Sequence, residues 1–313
     1  HGHGEAAEDK SASSDTAWNV VLWMDHRATA EADIINATKH GVLDYVGGTM
    51  SPEMDIPKIL WLKRHLHDAC YAKAAHFFNL PDFLTFRATG CTDRSLCSLV
   101  CKCTYLHNGD SSGTSGSSGS GWQSDFFTAI GLGDLAQGAC PFSRLGTRAN
   151  VPGAAVAGGL CDAAARDLGL LAGTAVAAGC IDAHAGVLGV VGETHSDRDA
   201  RGVDERLVLV LGTSSCHMAL SRQPLAVPGV WGPYGSVVLE GWWLNEGGQS
   251  ASGALVDHII SMHAAGDLAK QRAVEEGISI YTWLNNKATQ LAQGVLCACA
   301  CACACACACA CAC

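Results

Sequence analysis

Residues 174–192, TAVAAGCIDAHAGVLGVVG, place one carboxylate and one imidazole, Asp182 and His184, inside a run of Ala, Gly, Val, Leu and Ile. An ionised carboxylate is costly to bury without partners, so Asp182 belongs either at a cleft or in a full set of hydrogen bonds. The stretch before it, TAVAAGCI, reads as a short buried strand, and AHAGVLGVV as a helix that Asp182 caps. A strand-to-helix junction is also where open α/β sheets keep their ligand groups. Cap and cleft are compatible, and either places the chain among α/β folds.

The remaining segments alternate in the same way. WNVVLWMD (18–25) reads as a strand ending in a charged turn, and TAEADIINATKHGVLDYVG (29–47) carries helical spacing and a closing Gly. Residues 52–80 read as a helix, a turn and an aromatic strand end. LTFRATG (84–90) is strand-like, SLCSLVCKCTYL (95–106) is a helix or buried strand, and GGLCDAAARDLGL (158–170) is a helix. ERLVLVLGTSSCHMALS (205–221) reads as two strands hinged at Gly212-Thr213-Ser214. Residues 237–263 read as a strand, a Gly-rich turn and a long helix. DSSGTSGSSGSG (110–121) has the composition of a flexible surface loop.

Composition narrows the function classes. With 49% hydrophobic and 16% charged residues over 313 positions, the chain can form a sizeable core and about two domains. A net charge of −10 and the lack of a Lys/Arg cluster argue against nucleic acid as a partner. No apolar run reaches the length of a membrane span, and HGHGEAAEDKSASSD lacks a signal peptide's hydrophobic region, so the expectation is a cytoplasmic protein. Of 18 cysteines, nine fall in an unbroken Cys-Ala alternation from 297 to 313. The other nine lack framework spacing and read as buried free thiols.

Each chemical candidate has an ordinary structural explanation. Gly212-Thr213-Ser214 after a strand offers consecutive N–H donors and two hydroxyls, which suits a phosphate, and it equally suits a plain hairpin turn. Lys102 reads as the solvated end of its segment and Glu246 as a helix-start carboxylate favoured by the dipole. Asp25 and Arg27 read as a local ion pair. His184 reads as a hydrogen-bonded neighbour, because no second ligand stands at zinc-like spacing from it, so no metal site is expected. The Trp residues at 23, 61, 231, 242 and 243 read as core.

Taken in order, WMDHRA (23–28), PDFLTFRATG (81–90), SLCSLVCK (95–102), IDAHAGVLG (181–189), LGTSSCHMALS (211–221), PGVWGPY (228–234) and LNEGGQSASG (244–253) resemble the FGGY carbohydrate kinases. The resemblance runs from about Trp18 to Leu296, diverges over 107–150, and points to the branch that contains the D-ribulokinases. It implies an actin-like, RNase H-like pair of domains closing over ATP, Mg2+ and a sugar, with no nucleic acid or membrane partner and room for a homodimer. By that resemblance Asp182 matches the catalytic base, and apolar walls around it would keep water out. Lys102 and Glu246 match contacts to a pentulose, with D-ribulose the expected substrate. Gly212, Thr213 and Ser214 match a phosphate segment. Gly248 and Ser252, at the turn and first helical residues after Glu246, match a nucleotide-facing segment.

The resemblance also implies a division into a polar leader (1–17), a sugar-binding domain (18–196), the start of a nucleotide-binding domain (204–296) and the Cys-Ala tail (297–313), with both domains incomplete. The family's first phosphate segment, Asp-Gly-Thr, is expected before Trp18 and its adenosine segment after Leu296. Without them the chain as written is expected to be a poor kinase. Two rival functions stand beside that one. The first is a non-catalytic sugar-binding or regulatory relative; the second is soft-metal binding through the Cys-x-Cys spacing of the tail.

Overall fold

The structure, a computed structural model, describes residues 19–107, 121–192 and 202–291. The leader 1–17, most of the Gly-Ser loop, residues 193–201 at the expected domain division and the Cys-Ala tail lie outside the described residues.

The first half is mainly helical. α1 (Thr29–Ala37) packs on α2 (Asp55–His65), with a 3-10 turn at Gly41–Tyr45 between them. α2 has Asp55 in its first turn and Lys63, Arg64 and His65 in its last, each favoured by the helix dipole. α3 (Leu80–Thr89) covers the segment expected to be a strand. Pro81 in its first turn and Gly90 at its end, with φ of +75°, are helix boundary signals, and they outweigh the β-type residues between them. β1 (Arg94–Ser95) leads directly into α4 (Leu96–Cys103) and pairs in parallel with β2 (Ala149–Asn150); α5 (Ser124–Ala129) precedes β2. In α4 every residue except Lys102 is buried. α6 (Asp162–Leu168) and α7 (Asp182–Val191) complete this half.

The second half is built on one antiparallel sheet. β3 (Leu207–Leu211), β4 (Ser215–Ser221), β5 (Trp231–Gly235) and β6 (Trp243–Gln249) stand in the order β3-β4-β6-β5. The hinge at 212–214 is therefore a hairpin loop, with Leu211 opposite Ser215. The register slips between Trp231 and Tyr234, where Pro233 has no N–H to give the ladder. α8 (Gly253–Met262), α9 (Gly266–Glu275) and α10 (Ile280–Leu291) follow. One buried apolar cluster joins the two halves, running from Ile35, Met54, Leu99, Phe126 and Phe127 to Val187, Val208, Met218, Tyr234 and Leu244.

Four further strand expectations fail. Residues 19–28 form no strand; the segment is held by the Lys58 ammonium, which donates to the carbonyls of Leu22 and Trp23 at 3.0 and 2.8 Å. Residues 74–79 form no strand end either, and Phe77 and Phe78 are instead packed on the rings of Tyr71 and Phe86. TAVAAGCI makes only an isolated bridge, Ala155 to Ala177, and residues 171–175 are exposed; alanine offers little side-chain packing to hold a longer ladder. The strand expected from Val237 begins at Trp243, because Val237 and Val238 are buried in the turn that precedes it. Of the nine free thiols, Cys97, Cys101 and Cys103 are buried, Cys140 is exposed and the rest are half-buried. The tryptophans are not core: Trp23 is exposed and the other four are half-buried.

Candidate functional site

Asp182 is the first helical residue of α7, and Ile181 holds the cap position. The carboxylate is exposed and accepts the N–H of Ala183 at 2.8 Å, so it does not cap in the expected sense. It lies in the turn where unpaired amides favour a negative charge. One turn-step further, His184 points the other way, into the core, and is 2% exposed. This separates the polar pair in an apolar segment: Asp182 is exposed and His184 is packed in the core.

Glu246 sits in β6, not at a helix start, and its side chain is 13% exposed. It stands diagonally across from Cys216, whose direct ladder partner is Gly248. With no side chain at 248 the Cys216 thiol reaches Glu246 and donates a hydrogen bond to it. Burial pushes the Glu246 carboxyl up, while the Lys102 charge and the Cys216 bond oppose that rise. Burial, and next the Glu246 charge, push the Cys216 thiol to about 12. A smaller effect of the Asp182 charge on Cys216 acts in the same direction. Lys102, in the last turn of α4, lies over the Trp231 ring at 5.9 Å from its centroid. Beneath them His184 Nε2 is 3.8 Å from Glu246 Oε2 and 3.4 Å from Cys101 Sγ. Burial, and next the Lys102 charge, hold its imidazole down at about 3. It is therefore neutral near pH 7.

Gly212 and Thr213 are exposed at the tip of the β3–β4 hairpin. Ser252, buried at the cap position of α8, staples that tip: its hydroxyl donates to the Gly212 carbonyl and its N–H to the Thr213 carbonyl at 2.9 Å. Gly248 is in a strand rather than a turn, and a Cβ there would stand 2.2 Å from the Ser215 carbonyl oxygen. Asp25 and Arg27 form the expected local ion pair at 2.8 Å.

The arrangement presents a mostly buried carboxylate, a half-buried ammonium, an exposed carboxylate at the start of α7 and a stapled Gly-Thr-Ser tip. Residues 207–300 match the family profile described as the FGGY family of carbohydrate kinases, C-terminal domain. The chain is 52% identical over 278 residues to an FGGY carbohydrate kinase domain-containing protein of Danio rerio, covering 88% of this chain and 49% of that protein. The chain belongs to the FGGY family. Its similarity to a D-ribulokinase of Saccharomyces cerevisiae is 42% over 285 residues, covering 85% of this chain and 39% of that protein. Among solved structures, xylulose kinase from Rhodospirillum rubrum aligns with a TM-score of 0.58 at 18% identity, over 80% of this chain and 46% of that one. Gluconate kinase from Lactobacillus acidophilus gives 0.57 at 17%, over 83% and 49%. These structures establish the sugar-kinase fold. The FGGY chain described here spans about half the length of the curated relatives it matches.

Within that FGGY frame, sequence reasoning missed Cys216, whose contact with Glu246 depends on strand register. It also missed Cys97 and Cys101, which bring sulfur to His184 from 83 or more positions away. No helix among the described residues is long and apolar enough to cross a membrane.

Proposed function

We propose that this chain phosphorylates a pentulose, D-ribulose first, using ATP and Mg2+. The observation that carries this reading is that Glu246 of β6 stands 3.8 Å from His184 of α7, the helix that opens with Asp182, while the Lys102 charge at the end of α4 acts on Glu246. Glu246 and Lys102 offer an acceptor and a donor, the complement that vicinal sugar hydroxyls require. Asp182 is the base that takes the proton of the attacking hydroxyl. The D-ribulokinase and ribulokinase names among the relatives support a pentulose over other polyols.

The hairpin tip fits a nucleotide phosphate. Ser252 draws the carbonyls of Gly212 and Thr213 inward, which removes two acceptors from the side an anion would meet. Thr213 and Ser214 then offer their hydroxyls to an anion, the Gly212 N–H being taken by the Ser214 carbonyl at 2.9 Å, and Gly248 lets β6 lie close against that hairpin. ATP with Mg2+, when bound, supplies the γ-phosphoryl group and the cation that offsets its charge.

D-Ribulose-dependent ADP formation by the chain completed with the flanking segments of an FGGY relative tests the catalytic role. Asp182→Asn is expected to lower it by about 10²–10⁴-fold, the usual worth of a general base. A variant that keeps more than half the parent's rate removes Asp182 from that role.

A further inference from the structure

We propose that Cys97, Cys101 and His184 form a buried zinc site beneath the sugar-facing recess. This does not depend on the sugar reading. The two cysteines are four residues apart on α4, which puts both sulfurs on one face a single turn apart. His184 reaches them from α7, and one donor atom from each of the three lies within 4.8 Å of the others. All three side chains are within 2% of full burial. Tetrahedral zinc with thiolate and imidazole bonds of about 2.3 and 2.0 Å needs sulfur-to-nitrogen separations of about 3.5 Å. Cys101 Sγ and His184 Nε2 are 3.4 Å apart. A thiol hydrogen bond to the imidazole accounts for Cys101 alone and leaves the presence of Cys97 at the same spot unexplained.

The charges also fit. Binding releases the two thiol protons, and the thiolates then cancel the charge of Zn2+, so the apolar interior receives a neutral unit with a neutral imidazole. Glu246 Oε2 lies 3.8 Å from His184 Nε2, at the edge of the site. Two cysteines and a histidine suit zinc better than the hard cation that accompanies ATP.

The test is titration of the reduced, metal-stripped full chain with Co2+, read by the ligand-field and thiolate charge-transfer bands of tetrahedral cobalt, followed by displacement with Zn2+. The nine cysteines of 297–313 give the same background in every protein. The parent is expected to hold one more tight equivalent than Cys97→Ser and than His184→Gln. Each variant loses at least about 100-fold in affinity for that equivalent, more than the loss of a supporting contact costs. Far-UV spectra and urea midpoints identify any variant that fails to fold, in which case the other decides. Equal equivalents and identical spectra in parent and folded variants overturn the site.

Discussion

Asp82 shows how one buried carboxyl shapes the response of this chain to pH. It is 2% exposed in α3, and its Oδ1 accepts the Ser95 N–H at 2.6 Å. Burial raises its pKa from 3.8 to about 6, against the opposing Ser95 bond and the Arg94 charge. The folded chain thus keeps a proton that the unfolded chain releases. Its contribution is fully present below about pH 4 and is lost as the pH rises to about 6, by up to about 3 kcal/mol. Urea midpoints across this window should fall for the parent relative to Asp82→Asn. A pH-independent difference between the two would place the titration elsewhere. Legibility varies in the same way from residue to residue. Asp182 stood out as a charge in an apolar run, so its exposure was readable. Lys102 and Glu246 were ordinary on local grounds and became candidates only through the ordered family motifs. Cys216 carried no signal, since a single cysteine in a strand says nothing about a carboxylate thirty residues later.

Among elements, the β4–β6 pairing does most to hold the recess. It places Cys216 opposite Gly248 and diagonally beside Glu246, so the recess exists only at that register. Gly248→Ala puts a methyl 2.2 Å from the Ser215 carbonyl and forces the strands apart. An overpacking cost of about 1–3 kcal/mol is expected in urea unfolding. Gly247→Ala, with nothing within 4 Å of its Cβ, is the near-neutral comparison. Equal effects of the two would mean the close approach is not what fixes the register. The boundary residues Pro81 and Gly90 of α3 stand in the sequence, but its β-type middle reads as a strand, and the structure overturns that reading. The strands at 19–25 and 174–181 were misread because a strand is defined by a neighbour, and periodicity within a segment does not say whether a neighbour exists.

For the whole molecule, the apolar cluster that runs from Ile35 to Leu244 ties α4 and α7 to the sheet. This common core holds α4, α7 and β6, which carry residues 102, 182 and 246, although they belong to different parts of the sequence. The alternation of helix-type and strand-type segments made the α/β class readable. Alternation could not reveal that the sheet is antiparallel, with Leu207, Leu209 and Leu211 exposed on edge strand β3. The central claim is that Lys102 and Glu246 hold a pentulose beside Asp182. Calorimetric titration of D-ribulose into the full chain measures this without requiring turnover. Lys102→Met and Glu246→Gln should each weaken binding by about tenfold or more, the worth of a hydrogen bond to a charged group. Asp257→Asn, on exposed α8, should leave it unchanged. Equal affinities in all four proteins, or no binding of D-ribulose to the parent, would contradict the account.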